Sequence, residues 1–375
     1  MGERRETRGR TGAAERRLER LRSHIDRLDA EILERLSERY RVVEEVQRVK
    51  QERGDGIWVP ARERGQLERL RRLNRRFERP LAEAALEAIF GEILSASRAL
   101  QGGVRVAFLG PEGTFSERAA RRHFGSSAEL VAADSIAGVF EAVERERARY
   151  GVVPIENSTE GMVGQTLDHL VASPLRIVGE RQLAVRHALL GRARSLAGVR
   201  RVVSHPQSLA QCREWLRKHL HGVPTAEVAS NALAAAAAAR SRTTAAIAAR
   251  EAAPRYGLRV LADGIQDLAR NVTRFVVVAG CEVDDAAACD KVSLLFSVRN
   301  EAGRLFRALE PLARERIDLC KIESRPMRGR AWEYVFFTDF RGRLGDPRVR
   351  IALRAMERRC TWFKLLGTYP AARAA

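Results

Sequence analysis

The 375-residue sequence predicts a multidomain protein in which an all-α segment, an α/β segment and an α+β segment follow one another. Three patterns predict this. Apolar residues recur every three or four positions from Leu18, short apolar runs alternate with helical stretches after Gly102-Gly103, and a βαββαβ order closes the chain. The length suits two or three domains with real cores.

In the first segment Leu18, Leu21, Ile25, Leu28, Ile32 and Leu36 step by three or four, and Val43, Val46 and Val49 continue the stripe. That predicts one amphipathic helix from about Arg16 to Glu52. Residues 1–14, rich in Arg and Glu without an apolar stretch, are expected as a disordered tail. Gly54-Asp55-Gly56 breaks the helix, Pro60 can start a second, and Pro80 a third that runs to about Gln101. Three helices cannot bury so long a stripe alone, so a partner chain is expected.

Gln101-Gly102-Gly103 reads as a hinge. Candidate strands follow at Val104 to Leu109, Leu130 to Ala132, Tyr150 to Pro154, Leu175 to Glu180, Arg201 to Ser204, Thr244 to Ile247 and Phe275 to Ala279. The alternation predicts a mostly parallel sheet covered by helices, with Ala232 to Ala239 as one of them. After a polar joint at Glu282 to Asp290, strands are expected at Lys291 to Val298, Asp318 to Ser324, Trp332 to Asp339 and Trp362 to Tyr369. Helices at Gly303 to Arg314 and Asp346 to Arg358 complete the ferredoxin-like order. The three segments are bounded at 15–101, 104–281 and 290–371.

The net charge of +19 raises a nucleic-acid reading. Of the 67 basic residues only Lys50, Lys218, Lys291, Lys321 and Lys364 are lysines, and most arginines are interleaved with Glu in helical stretches. Compositional bias of a GC-rich genome, or a field that draws in small anions, explains that pattern without DNA or RNA. The five cysteines are odd in number and lack a CxxC pairing, so neither a disulfide framework nor a metal site is expected. No run approaches the roughly 20 apolar residues of a membrane span. A cytoplasmic protein without membrane or nucleic-acid partners, metal or cofactor is expected.

The segment from Tyr150 to Gly161 runs an apolar strand into Glu156, Asn157, Ser158 and Thr159, at the carboxyl end where open α/β sheets bind ligands. Taken alone it is an ordinary polar turn. Before it stand Gly110-Pro-Glu-Gly-Thr114 with Ser116 opening a helix, and after it come Ser204-His-Pro-Gln207, Ser230-Asn231 and Asn271-Val-Thr-Arg-Phe275. The glycine-rich turn has amides and hydroxyls for a carboxylate but lacks the GxGxxG of a dinucleotide site. Four polar turns at strand ends or helix starts predict one cleft.

On the first helix Arg39 and Lys50 are 11 residues apart, about 20° off one face and roughly 16 Å along the axis. Their side chains can converge on one small anion. Arg22 is roughly 42 Å from Lys50 along the helix, too far to share its pocket, and if functional it serves a partner chain's site. Arg62 and Glu63 open the second helix, while Ser97 and Gln101 share a face of the third. Singly, each reads as a solvated helix residue.

Together, Leu21-Arg22, Ser37-Glu-Arg39, Val46-Gln-Arg-Val-Lys50, Pro60-Ala-Arg-Glu63 and Ser97-Arg-Ala-Leu-Gln101 resemble the all-helical chorismate mutase family. The resemblance implies a swapped dimer of three-helix chains. Chorismate carries two carboxylates, and its Claisen rearrangement develops negative charge on the breaking ether oxygen, where fixed donors and cations act. By resemblance, Arg22 of the other chain and Arg39 would hold carboxylates, Lys50 and Gln101 would meet the ether oxygen, and Glu63 would take the ring hydroxyl. Arg62 and Ser97 would complete the pocket, and Val59 stands where the family often has Asp.

Residues Val104 to Ala279 resemble prephenate dehydratase through Gly110-Pro-Glu-Gly-Thr114, Val153-Pro-Ile-Glu-Asn157, Ser204-His-Pro-Gln207 and Thr273-Arg-Phe275. The resemblance implies a two-lobed fold like that of periplasmic binding proteins, with prephenate between the lobes. A donor at the ring hydroxyl with the carboxylates held is what the reaction needs, and the family assigns that role to the position of Thr273. Thr114, Ser116, Glu156, Asn157, Ser158, Ser204, Gln207, Ser230, Asn231, Arg274 and Phe275 would line the substrate, with Arg274 facing either a substrate carboxylate or Glu156.

The last segment resembles an ACT domain through Lys321-Ile-Glu-Ser-Arg-Pro326 and Gly303-Arg-Leu-Phe306. The resemblance implies phenylalanine binding at Gly303, Leu305, Glu323, Ser324, Arg325 and Pro326, with Arg304 in place of a small residue. The three resemblances imply one polypeptide that converts chorismate to prephenate and prephenate to phenylpyruvate, inhibited by L-phenylalanine, as a homodimer or larger homo-oligomer. A regulator with a DNA-reading helical head would need short helices, against one of about 35 residues. A helical segment serving only as a dimerisation arm would not need Arg39, Lys50, Arg62, Glu63 and Gln101.

Overall fold

The computed structural model describes residues 3–53, 60–268, 270–280, 289–326 and 333–372. Its packing divides into two units. The first is helix α1 (Glu3–Arg53) with residues 100–102. The helix extends to Glu3 through the stretch expected as a disordered tail; Gly9 and Gly12 weaken it there, but no proline interrupts it between Glu3 and Arg16. Its apolar stripe is exposed, with Leu18 at 47%, Ile25 at 55% and Ile32 at 57%.

The second unit begins with α2 (Pro60–Asn74) and α3 (Glu83–Leu100). Pro60 opens α2, a position whose missing N–H costs nothing. Asn74 brackets the turn between the helices, its amide donating to the Leu81 carbonyl at 2.8 Å and its Oδ1 accepting from the Leu81 N–H at 3.0 Å.

The next stretch contains β1 (Arg105–Leu109), α4 (Phe115–Phe124), β2 (Glu129–Ala133), α5 (Ile136–Glu144), β3 (Tyr150–Asn157), β4 (Gly161–Met162), α6 (Gly164–Ala172) and β5 (Arg176–Ala184). The chain then builds β6 (Ala188–Gly191), β7 (Arg201–Ser204), α7 (Pro206–Gln211), α8 (Arg213–His219), β8 (Thr225–Glu227), α9 (Asn231–Ala239), β9 (Thr244–Ala248), α10 (Ala252–Arg255) and β10 (Arg259–Asp263). It returns through β11 (Val272–Ala279) to the first sheet. The result is two sheets, ordered β2-β1-β3-β11-β5 with β4 on β3, and β10-β6-β9-β7-β8.

The expected mostly parallel strand pairing is therefore corrected. Each sheet is mixed: β1 pairs in parallel with β2 and β3, but β11 is antiparallel to both β3 and β5, and β6 is antiparallel to β9 and β10. The physical reason is the two-way passage, since a strand that returns from the second lobe inserts against its neighbours' direction. Short β4 and β8, of two and three residues, give too few residues for a periodic signal in sequence.

The C-terminal part comprises β12 (Lys291–Ser297), α11 (Arg304–Arg314), β13 (Leu319–Pro326), β14 (Tyr334–Arg341), α12 (Pro347–Glu357) and β15 (Trp362–Tyr369). Its sheet order, β13-β14-β12-β15, is the ferredoxin-like one, and all its pairs are antiparallel. One face packs on the two helices through Val292, Leu294, Phe296, Phe340 and Met356. The other face contributes Leu295, Val335, Phe337, Leu366 and Tyr369 to a core shared with Leu170, Leu175 and Ile177 of the first sheet's layer. Gly367 lets β15 approach β5 closely, for a Cβ there would collide with the Ile177 carbonyl oxygen. Val59 and residues 282–288 of the expected joint lie outside the described residues. Among the described residues no helix is long and apolar enough to cross a membrane, and no group of His, Cys, Asp or Glu is arranged to hold a metal ion.

Candidate active site

The turn expected after Pro154 is strand: β3 continues to Asn157 and pairs with β11 so that Asn157 lies opposite Thr273 and Glu156 opposite Arg274. Successive side chains on a strand point to opposite faces. The four residues therefore sort into two pairs, one on each face of the sheet.

On one face Asn157 is buried, and its Nδ2 donates to Thr273 Oγ1 and to Asn271 Oδ1, both at 2.9 Å. The Asn157 Oδ1 accepts from the Thr159 amide at 3.0 Å and from its hydroxyl at 2.5 Å. Because Thr273 Oγ1 is an acceptor here, its own O–H hydrogen is left to donate, and accepting a bond strengthens a hydroxyl as a donor. Asn271 Nδ2 donates to Gln211 Oε1 at 2.9 Å, and Gln211 Nε2 donates to Glu160 at 3.0 Å and Thr159 at 3.3 Å. Gln211 ends α7 in the second lobe, so these contacts join the lobes beside Thr273. The same Oε1 lies 2.9 Å from His187 Nε2, which accordingly carries the proton; burial lowers the His187 pKa, only partly opposed by the Gln211 contact.

Sequence reasoning missed His187 and Gln211. Gln211 lies four residues after Gln207, on the same side of a helix too short to show a period. His187 sits in the crossing between lobes, where no pattern marks it; its ring meets Phe115 edge-on at 5.8 Å.

The second-lobe residues are placed together. Asn231 Oδ1 accepts from the Ser204 hydroxyl at 3.0 Å, the Ser208 hydroxyl at 3.0 Å and the His205 amide at 3.3 Å, which leaves its Nδ2 as the group for a ligand. Ser204 is fully buried, and its single hydroxyl hydrogen is shared between Asn231 Oδ1 and the nearer Ile247 carbonyl at 2.7 Å. Ser230 caps α9 by accepting from the Leu233 amide, and His205 caps α7 through Nδ1. Gln207 stands in the first turn of α7 and is half-buried. Thr114 caps α4 and donates to the Leu109 carbonyl at 3.1 Å, and Ser116 is buried in that helix's first turn.

Three residues expected at the substrate are engaged elsewhere. Ser158 Oγ accepts from the Val272 amide at 3.0 Å while its own N–H donates to the Val272 carbonyl, so it fastens β3 to the start of β11. Glu156 accepts from Lys321 Nζ of β13 at 2.7 Å. Arg274 is buried and points away from Thr273, donating to Glu180 at 2.7 Å, Asp339 at 2.5 Å and Tyr369 Oη at 3.0 Å, with Glu156 at 3.7 Å. Phe275 is buried in β11.

Lys291 Nζ completes this cluster with a 2.8 Å bond to Glu180. Burial alone would push the Glu180 carboxyl up, but Arg274 and Lys291 outweigh it and hold it below its ordinary value. Tyr369 is pushed well up by burial and then by Asp339, so it stays protonated while its oxygen accepts from Arg274 and lies 2.5 Å from Ser293 Oγ.

The residues expected at a mutase site divide between the units. Arg22, Arg39 and Lys50 lie along α1 and Gln101 follows α3 in the same unit, while Arg62, Glu63 and Ser97 belong to the other. Arg22 is exposed, 3.9 Å from Glu19. Arg62 is exposed, Glu63 pairs with Arg98, and the Ser97 hydroxyl donates to the Ile93 carbonyl at 2.7 Å. A cavity of about 870 Å³ touches Glu63 and Thr114 but neither Asn157 nor Thr273, and several of its arginines, such as Arg71, Arg98 and Arg118, already face carboxylates.

In the C-terminal sheet Gly303, at φ 76°, precedes α11, and Leu305 packs on that layer's core. Along β13 Lys321, Glu323 and Arg325 share one side and Ile322, Ser324 and Pro326 the other. Arg325 grips Asp168 of α6 with two bonds, at 2.7 and 2.9 Å.

Comparison with known proteins divides the chain differently from the packing, keeping α1, α2 and α3 together. The family model for chorismate mutase type II matches residues 21–102, and that for prephenate dehydratase matches residues 106–282. A bifunctional chorismate mutase/prephenate dehydratase of Aquifex aeolicus is 41% identical over 356 residues, covering 95% of this chain and 98% of its own. One from Neisseria gonorrhoeae is 40% identical over 355 residues, covering 94% and 96%. A solved prephenate dehydratase from Arthrobacter aurescens, in complex with L-Phe, has a TM-score of 0.65 at 32% identity and covers 72% of this chain and 90% of its own.

Proposed function

The chain belongs to the family of bifunctional chorismate mutase/prephenate dehydratases, and from that premise we propose how its residues divide two consecutive reactions. It rearranges chorismate to prephenate and converts prephenate to phenylpyruvate.

In the second reaction Thr273 is the donor at the ring hydroxyl. The bond from the ring to its carboxylate breaks, carbon dioxide leaves, the electron pair completes the aromatic ring, and the hydroxyl departs as it takes up a proton. The 2.9 Å bond from Asn157 to Thr273 Oγ1 carries this reading, because it fixes the hydroxyl oxygen as acceptor and turns its hydrogen outward. Asn231 Nδ2, Gln207, Ser230 and the first turn of α4 at Thr114 and Ser116 hold the substrate's polar groups. Glu156, Ser158, Ser204, Arg274 and Phe275 shape the site from behind.

In the first reaction Lys50 and Gln101 stabilise the developing charge on the ether oxygen, Glu63 takes the ring hydroxyl, and Arg39, Arg62 and Ser97 bind around them. Arg22 comes from a second copy, and the exposed stripe of α1 is what that copy covers. Burying such a side chain contributes roughly 1.5–3 kcal/mol. Half a dozen match the roughly 4–15 kcal/mol lost on association. The C-terminal sheet is an ACT-type regulatory module that binds L-phenylalanine near Gly303, Leu305 and Glu323 to Pro326, as supported by the L-Phe complex of the Arthrobacter relative.

Incubation of purified protein with chorismate, followed by product analysis with and without L-phenylalanine, tests this. Phenylpyruvate should form and its yield should fall with the amino acid. Chorismate consumption no faster than in buffer would remove the mutase assignment.

A further inference from the structure

The two faces of the β3–β11 pair meet different parts of the molecule. Asn157 and Thr273 share one face, and Glu156 and Arg274 share the other, one residue away on each strand. The second face is held mainly by the C-terminal sheet and β5: Arg274 by Glu180, Asp339 and Tyr369, and Glu156 by Lys321 at 2.7 Å, with Arg274 farther off at 3.7 Å. These contacts are not needed to dock the sheet, because Leu295, Phe337, Leu366 and Tyr369 already seal it against Leu175 and Ile177.

The two contacts differ in kind. Glu180 and Asp339 have side chains 1% and 0% exposed, so the Arg274 cluster is a fixed pivot. The Lys321 and Glu156 side chains are 24% and 26% exposed, so water can replace either partner and the contact can open without stranding a charge. Lys321 also begins the stretch Lys321 to Pro326, and it shares its side of β13 with Glu323 and Arg325.

We infer that Lys321 and Glu156 are positioning residues through which phenylalanine bound at the C-terminal sheet changes the setting of Asn157 and Thr273. This rests on the regulatory reading proposed above. A ligand that shifts β13 moves Lys321 Nζ relative to Glu156, and Glu156 passes the shift through one peptide unit to Asn157, the residue that orients the Thr273 hydroxyl. The fixed Arg274 keeps β11 in place while β3 moves, so the disturbance falls on the 2.9 Å bond between the strands' catalytic-face side chains.

The test uses the full-length protein with Lys321→Met, Glu156→Gln and both together. Phenylalanine binding is measured by calorimetry, and dehydratase turnover of added prephenate with and without the amino acid. Mutase turnover serves as the control for folding. Each single variant should bind phenylalanine within about threefold of the unaltered protein yet lose at least about fivefold of the inhibition. The double variant should be no worse than either single one, the signature of a shared contact, and Lys321→Arg should restore most of the response. Variants that bind phenylalanine and are inhibited as fully as the unaltered protein overturn the inference. If Lys321→Met abolishes binding, Glu156→Gln decides alone, since its side chain belongs to the first sheet: full inhibition there overturns the coupling, and lost inhibition supports it. An unaltered protein that neither binds nor responds to phenylalanine removes the regulatory reading itself, and the inference falls with it.

Discussion

Helix α1 and the strand pair β3–β11 assemble chemistry in opposite ways. On α1 the cations Arg39 and Lys50 are separated by three turns, and its apolar stripe is exposed over Leu18, Ile25 and Ile32. In β3–β11 the key side chains are brought to 2.9 Å by strand register alone, inside a sheet whose flanking residues are buried. A helix fixes spacing along an axis but leaves its second wall to another segment. Paired strands fix both walls at once. The dehydratase should therefore tolerate changes in association that the mutase does not.

The largest effects should come from the residues assigned to the reacting oxygens. Thr273→Ala removes the donor and should lower dehydratase turnover by about a hundredfold to a thousandfold, the scale of losing one preorganised donor, with mutase turnover unchanged. Asn157→Asp is a sharper version, because a carboxylate can no longer donate to Thr273 Oγ1. Lys50→Ala should lower mutase turnover by about a hundredfold with dehydratase turnover within about twofold. If either change depressed both reactions equally, measured separately with chorismate and prephenate, the division between the two regions would be wrong.

The same contrast explains what was legible in the sequence. The stripe from Leu18 to Val49 announced α1 because a long helix repeats its period many times, while β4 and β8, of two and three residues, repeat nothing. The polar ends of β3 and β11 were visible as motifs, and their meeting at Asn157 and Thr273 follows from them. The direction each side chain takes was not visible, since reading β3 as ending at Pro154 hides the alternation that sends Glu156 and Arg274 to the far face. The partners of those two, Lys321 and Asp339, lie 165 and 65 residues away, a separation no local pattern encodes. Gln211 was unreadable for the same reason: it matters because the return strand brings Asn271 to it.

Disrupting the stripe should produce a smaller effect than either catalytic substitution. Leu28→Glu with Ile32→Glu places charges on the exposed apolar face of α1, where a covering partner would have to desolvate them. Mutase turnover should fall by about tenfold at low protein concentration and recover as concentration rises, since losing two such side chains costs association roughly 3–6 kcal/mol. Dehydratase turnover should stay level across the same dilution series. Sedimentation of the variant as a smaller species would accompany the change, and a dehydratase that fell in step with the mutase would erase the contrast between helix and strands.

The smallest effect separates the regions through pH. Arg274 and Lys291 hold the Glu180 carboxyl below its ordinary value despite burial, so protons bind it more readily in the unfolded chain than in the folded one. Its stabilising contribution is complete above the ordinary carboxylate range and is lost as pH falls through the depressed folded value. The unfolding midpoint of the α/β region should therefore drop by a few degrees on acidification below about pH 4.5, and Glu180→Gln should flatten that slope while lowering the midpoint at neutral pH. The exposed pair Arg35–Glu38 on α1 gives the comparison at neutral pH, since water screens it and Glu38→Gln should leave the midpoint in place. Calorimetric scans of both variants at pH 7, continued to pH 4 for the unaltered protein and Glu180→Gln, would decide, and an equal midpoint loss in the two variants or an unchanged acid slope in Glu180→Gln would mean that the buried cluster around Arg274 is no more tightly held than a solvated helix pair.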